Sequence, residues 1–226
     1  MIKAVIFDLD GTLIHSEFSY MKDILEKTLK HFNITADERK IKQFWFGMNR
    51  STIIENEFQI KPEKFWEVFT LMDNPQERAL NSKEYSDINY IKKLKEYGYQ
   101  TRILTNSPER IALAELKKIN CSFDSVVIAN PESRINRKPE PDGVYRILEL
   151  LNIEKNEAIF VGNGEEDILC AENAGIEGVL IDRKEFDNSH IKAKKRINSL
   201  YELDSITLSL IKKEKNKYRQ IEEYNI

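Results

Sequence analysis

The sequence predicts an α/β protein in which a doubly wound parallel sheet is interrupted by an inserted block of helices. Three observations predict it. Short apolar runs without alternation recur between segments of helical periodicity, as strands covered on both faces require. The chemically capable residues follow directly behind those runs. The stretch 17–85, behind the first run, carries helical stripes only.

The expected strands are 4–7, 102–105, 125–128, 158–161 and 178–181. Between them lie helices with readable ends. One follows Asp87, places Ile88, Ile91 and Leu94 at helical spacing and stops at Gly98. Another starts behind Pro108. A third starts behind Pro141, with Val144, Ile147, Leu148 and Leu151 on one face, and a fourth runs through Ile168 and Ala171 to Gly175. Strand and helix alternating in this way imply helices on both faces of a parallel sheet.

The block 17–85 contains no convincing strand. Its stripes are Phe18, Met21, Leu25, Leu29 and Phe32, then Ile41, Phe44 and Trp45, then Phe65, Trp66, Phe69 and Met72. Each reads as helix-packing core, and Phe44, Trp45 and Phe46 are assigned there rather than to a pocket wall. The expected division is a catalytic core of 1–16 and 86–226 with a helical cap of 17–85. A last short strand near 196–198 and a charged terminal helix complete the chain.

Composition narrows the function classes. The 226 residues are 41% hydrophobic and 10% aromatic, enough for a packed core. Basic and acidic residues, 35 and 38, are interspersed and the net charge is −3, which argues against a nucleic-acid partner. The Lys-rich stretches at 192–196 and 212–219 are short, interrupted and read as solvated helix faces. No apolar run reaches the length of a membrane span or a secretory segment. Cys121 and Cys170 lack metal or redox spacing and are expected to be buried reduced thiols, which fits a cytoplasmic protein. His15, His31 and His190 are too scattered to suggest zinc. The expected state is a monomer or homodimer with no membrane partner.

In open parallel sheets ligands collect at the carboxyl ends of the strands. Asp8-Leu9-Asp10-Gly11-Thr12-Leu13 follows the first strand. Two carboxylates so close repel unless a proton or cation offsets them. One carboxylate is suited to attack phosphorus, and the other to protonate the leaving oxygen and then activate water. Taken alone, such a pair also fits a turn with two solvated acids.

The wider string decides between these readings. Val5-Ile6-Phe7-Asp8-Leu9-Asp10-Gly11-Thr12-Leu13-Ile14 closely resembles the first motif of the haloacid dehalogenase superfamily. Leu104-Thr105-Asn106 is similar to the second motif, and Lys138-Pro139-Glu140-Pro141-Asp142 to the third. Val161-Gly162-Asn163-Gly164-Glu165-Glu166-Asp167, followed by Ala171-Glu172-Asn173-Ala174-Gly175, resembles the fourth. The resemblance implies a Rossmann-like core, a covalent nucleophile at Asp8 and an acid–base at Asp10. It further implies phosphate binding by Thr105, Asn106 and Lys138, and Mg²⁺ held by Asp8, the Asp10 carbonyl and a fourth-motif acid. An acid at position 10 points away from the family's dehalogenases. Phe46-Gly47-Met48-Asn49-Arg50 resembles a Gly-x-x-Arg element of the subfamily containing β-phosphoglucomutase and phosphoglycolate phosphatase, so Arg50 is a candidate specificity residue.

The pattern departs from the family at Asn163, where an Asp metal ligand is usual. An amide oxygen still suits a hard cation but brings no charge, so weaker Mg²⁺ binding is expected and Asp167 is the expected substitute. His15 also stands where many relatives carry an acid. The expected activity is Mg²⁺-dependent hydrolysis of a small phosphorylated metabolite through an aspartyl-phosphate. The alternatives are a phosphomutase with the same machinery, or a catalytically weakened relative that binds a phospho-ligand or a protein.

Overall fold

The computed structural model describes residues 1–130 and 133–206. The chain runs through β1 (Ala4–Phe7), β2 (Ile14–Ser16), α1 (Phe18–His31), α2 (Glu38–Phe46), α3 (Arg50–Phe58), α4 (Pro62–Met72) and α5 (Pro75–Leu80). It continues through β3 (Ser82–Glu84), α6 (Tyr90–Glu96), β4 (Gln100–Thr105), α7 (Glu109–Leu116) and β5 (Ser125–Ile128). It then forms α8 (Asp142–Leu151), β6 (Ala158–Gly162), α9 (Glu165–Ala174), β7 (Glu177–Ile181) and β8 (Lys195–Ile197). The expected charged terminal helix lies outside the described residues.

Six strands form one parallel sheet in the order β5-β4-β1-β6-β7-β8. Alternation along β1 explains the two layers of helices. Val5 and Phe7 join Ile91, Leu94, Ala112 and Leu200 on one face, while Ala4 and Ile6 join Val144, Ile147, Cys170 and Ala171 on the other. Both faces are therefore dry, which is why the strands read as continuous apolar runs. Helices α1 to α4 enclose a cluster of their own, in which Phe44, Phe58, Phe65 and Phe69 pack ring against ring.

The expectation of no strand within 17–85 is corrected. Ser82–Glu84 pairs antiparallel with Ile14–Ser16, matching Ser16 to Ser82 and Ile14 to Glu84. A three-residue polar strand leaves no apolar period, because its ladder is made by backbone groups. The ribbon sets the two passages between sheet and helical unit side by side. The thiols also differ from expectation: Cys170 is buried, but Cys121 is only half-buried, at the edge of the core beside Phe123. No helix among the described residues is long and apolar enough to cross a membrane.

Asp87, in the turn before α6, ties the fold together. Its Oδ2 accepts from Arg183 at 2.7 Å, Leu200 N–H at 2.8 Å and Ser199 Oγ at 2.9 Å. Burial pushes its carboxyl up, but these donors outweigh burial and hold it below the ordinary 3.8. A depressed folded-state pKa gives stability that is present above pH 3.8 and lost as pH falls through the folded value. Asp87→Asn is therefore expected to cost about 1.5–3 kcal/mol near pH 7. In urea unfolding the gap from the parent chain should close below the carboxylate range; a pH-independent gap would contradict the assignment.

Candidate active site

The order of the sheet places the site. β1 lies between β4 and β6, so connections leave it in opposite directions and open a crevice at its carboxyl end. Asp8 continues β1, its N–H donating to Val161 O at 2.9 Å, and Leu13 and Ile14 then turn back to the Leu9 carbonyl at 3.0 and 3.2 Å. Gly11 has a φ of +76°, and a side chain there would run into Asn163. Gly162 likewise leaves the space that the Asp167 carboxylate fills. The two motif loops thus interlock at their glycines.

Lys138 is the centre of the arrangement. Its buried Nζ donates to Asp8 Oδ1 and to Asp167 Oδ1, each at 2.6 Å. The other Asp167 oxygen accepts Gly164 N–H at 2.9 Å. Thr12 Oγ1 lies 3.1 Å from Asp8 Oδ2 and 3.2 Å from Asn163 Oδ1, so one hydroxyl spans the nucleophile candidate and the departing residue. Asn106 secures the lysine from behind: Lys138 N–H donates to its Oδ1 at 2.9 Å, and its Nδ2 donates to Lys138 O at 3.1 Å. Thr105 is buried, and its Oγ1 accepts Ser107 N–H at 3.0 Å.

Burial pushes Asp8 up to about 8; Lys138 opposes the shift, while the Asp167 and Asp10 charges add to it. Burial disfavours the Lys138 ammonium, yet Asp167, Asp8 and Glu166 hold its pKa above the ordinary value. Burial is thus the main cause of the Asp8 shift, with Lys138 offsetting part of it.

Asp10 has partners of its own. Ser107 Oγ donates to its Oδ2 at 2.6 Å. Glu115 of α7 is fully buried, and burial followed by the Asp10 charge raises its carboxyl well above 4.5. That favours the neutral acid beside Asp10. Glu115 Oε1 accepts from Ser82 Oγ at 3.2 Å and sits 3.9 Å from Arg78. Arg78 is in turn paired with Asp73 at 2.7 and 3.0 Å.

Arg50 stands at the start of α3. It is exposed, donates to Trp45 O at 3.2 Å and lies over the Phe44 and Trp45 rings at 5.6 and 5.5 Å. Its charge faces Asp10, Glu166 and Arg137. Asp8, Thr105, Asn106, Lys138, Asn163 and Asp167 thus meet at one sheet edge, with Asp10 beside them and Arg50 reaching toward them from the helical unit. Sequence reasoning passed over Thr12, Ser107, Glu115 and Arg183. Thr12 sits inside the first motif and Ser107 directly follows the second, and their hydroxyls were the available signal. Glu115 and Arg183 carry no local signal.

Among the described residues no three His, Cys, Asp or Glu side chains converge as metal ligands. The oxygens that Thr12 brings together are one carboxylate and one amide, both of the hard type that Mg²⁺ accepts. The donor set therefore fits a hard cation, one charge poorer than an all-carboxylate set.

Acid, lysine and acid gathered at the carboxyl edge of a doubly wound sheet define a Rossmann-like α/β enzyme. The chain belongs to the haloacid dehalogenase-like hydrolases, whose family model matches residues 5–181. It is 30% identical to a phosphoglycolate phosphatase of Aquifex aeolicus, covering 79% of this chain and 84% of that one. It is 26% identical to a pyrophosphatase PpaX of Bacillus mycoides, covering 80% and 83%. The fold is similar to that of a haloacid dehalogenase-like family hydrolase from Streptococcus pneumoniae, with TM-score 0.73, 19% identity and coverage of 91% and 98%.

Proposed function

We propose that this hydrolase is a Mg²⁺-dependent phosphatase that cleaves a small phosphorylated metabolite through an aspartyl-phosphate on Asp8. The observation that carries the reading is the Lys138 ammonium at 2.6 Å from both Asp8 and Asp167. A buried cation beside a buried carboxylate suits a site that receives a dianionic phosphoryl group.

In the first step Asp8 Oδ attacks phosphorus as the P–O bond to the leaving group breaks, and Asp10 gives the leaving oxygen a proton. In the second step Asp10 takes a proton from water, whose oxygen attacks the aspartyl-phosphate and frees Asp8 and phosphate. The Thr105 hydroxyl, the Asn106 backbone amide and Lys138 hold the phosphoryl oxygens. Asp8, the Asp10 carbonyl and Asn163 would hold Mg²⁺, with Asp167 supporting the set through Lys138 or a water. When bound, Mg²⁺ neutralises charge at Asp8 and on the phosphoryl group.

The helical unit, 17–85, acts as a cap over a core of 1–16 and 86–226, with the β2–β3 ribbon as its hinge. Closing such a cap excludes water and large ligands. Arg50 then faces the far end of the substrate. The relatives named for phosphoglycolate and pyrophosphate favour a compact substrate with a second anionic group. We assign the enzyme to the cytoplasm, as a monomer or homodimer.

Phosphate release from phosphoglycolate, pyrophosphate and p-nitrophenyl phosphate, with and without Mg²⁺, tests the reading. Asn163→Asp restores a ligand charge and is expected to tighten Mg²⁺ activation roughly tenfold or more, the scale that even outer-shell changes produce. Asn163 also favours a second reading, a weakened relative that binds a phospho-ligand. Silence of both the parent chain and Asn163→Asp on every substrate would select it.

A further inference from the structure

We propose that Arg183 is a positioning residue for Asp8, and that its loop couples the seating of the helical unit to the seating of the nucleophile. The inference rests on the phosphatase reading above. The loop 182–190 leaves β7 at the carboxyl edge of the sheet, where the crevice opens.

The Arg183 side chain is 6% exposed and makes three contacts at once. One terminal nitrogen donates to Asp87 Oδ2 at 2.7 Å and the other to Thr12 O at 2.5 Å, while the guanidinium lies 4.0 Å over the Tyr85 ring. Thr12 is the residue whose hydroxyl donates to Asp8. A single residue therefore separates Arg183 from the nucleophile. Only a planar fork meets such a set of partners, so lysine is no substitute.

Three residues further on, Phe186 stacks on Phe46, with centroids 4.6 Å apart and planes inclined by 12°. Phe46 ends α2 in the helical unit, just ahead of the segment that carries Arg50. Both rings are half-buried, and Phe46 packs against the core of the helical unit, so Phe186 is tied to that unit through its core. Between these anchors, Glu185 lies 3.7 Å from His15 of β2, and His15 stacks on Tyr85 just past β3, at 4.9 Å. One loop thus touches the helical unit, both sides of the ribbon and the carbonyl of Thr12. Swinging the helical unit outward parts the phenylalanines and removes the outer anchor of the loop that steadies Thr12.

Hydrogen–deuterium exchange of the segment 8–14 tests this in the full chain, together with kcat and KM for p-nitrophenyl phosphate in Mg²⁺. Arg183→Met should speed exchange in 8–14 and lower kcat about tenfold to a hundredfold, the range a slightly misplaced group produces, with KM little changed. Arg183→Lys should rescue little. Phe186→Ala should speed the same exchange more modestly, and adding Phe46→Ala should do nothing further. A purely structural role would lower the melting temperature but leave kcat per folded molecule intact, and that result would overturn the proposal. So would normal exchange of 8–14 in Phe186→Ala, which decides the matter if Arg183→Met fails to fold. If neither the parent chain nor Asn163→Asp cleaves a phosphoester, the phosphatase reading fails, while the exchange data still support or overturn the coupling.

Discussion

Asp8→Asn is expected to abolish phosphate release, by on the order of 10⁴-fold or more, as removal of a covalent nucleophile does. The amide keeps the shape of the side chain but has no ionised oxygen with which to attack phosphorus. The same change is expected to leave the melting temperature unchanged or higher. Burial and the neighbouring Asp167 and Asp10 charges push the Asp8 carboxyl up to about 8, so its ionised form is costly to the fold near neutral pH. A neutral amide removes that cost, and Lys138 keeps Asp167 as its partner. Activity and stability should therefore move apart, as they do when a site holds function at the expense of the fold. Single-turnover phosphate release and thermal melting on the same preparation check both halves. Retained turnover would remove Asp8 from the nucleophile role.

Lys138→Met should lose both. The ammonium is buried between two carboxylates, and the change leaves them facing each other without a cation. Breaking a buried ion pair in this way costs about 3–5 kcal/mol. The loss has a pH signature. Asp8, already high, rises further without the ammonium, so the folded variant binds more protons than the unfolded chain. Its stability must then fall as pH rises through the neutral range and recover on acidification. Urea unfolding at pH 5.5 and pH 8 should show a large deficit at the higher pH and a smaller one at the lower. An equal deficit at both would mean that the lysine acts by packing rather than by charge. Asn106 adds a check, because its side chain grips the Lys138 backbone at 2.9 and 3.1 Å and leaves the loop in place.

Much of the fold and part of the site were legible from the residues in order. Runs such as Ala4–Phe7 and Ala158–Gly162 reveal themselves because strands buried on both faces must be apolar throughout. Helix ends showed where Pro108, Pro141 and Gly175 impose backbone geometry of their own. Asp8, Thr105, Lys138 and Asp167 were legible because each stands in a recognisable string behind a strand.

Partnership was a matter of the tertiary structure. Only the order β5-β4-β1-β6-β7-β8 brings Lys138 onto a carboxylate 130 residues away. Asn106 was expected at the phosphate, with a loop amide as the donor; that its side chain also clamps Lys138 was not legible. Glu115 beside Asp10, Arg183 on Thr12 and Phe186 on Phe46 left no trace in the sequence. The ribbon of Ile14–Ser16 with Ser82–Glu84 was missed for a related reason, since its pairing uses backbone groups common to every residue. Periodicity and turn chemistry record how a segment meets water and its immediate neighbours, so they can be read locally. Which buried charge answers which, and which ring stacks on which, depends on distances that exist only once the sheet has been ordered.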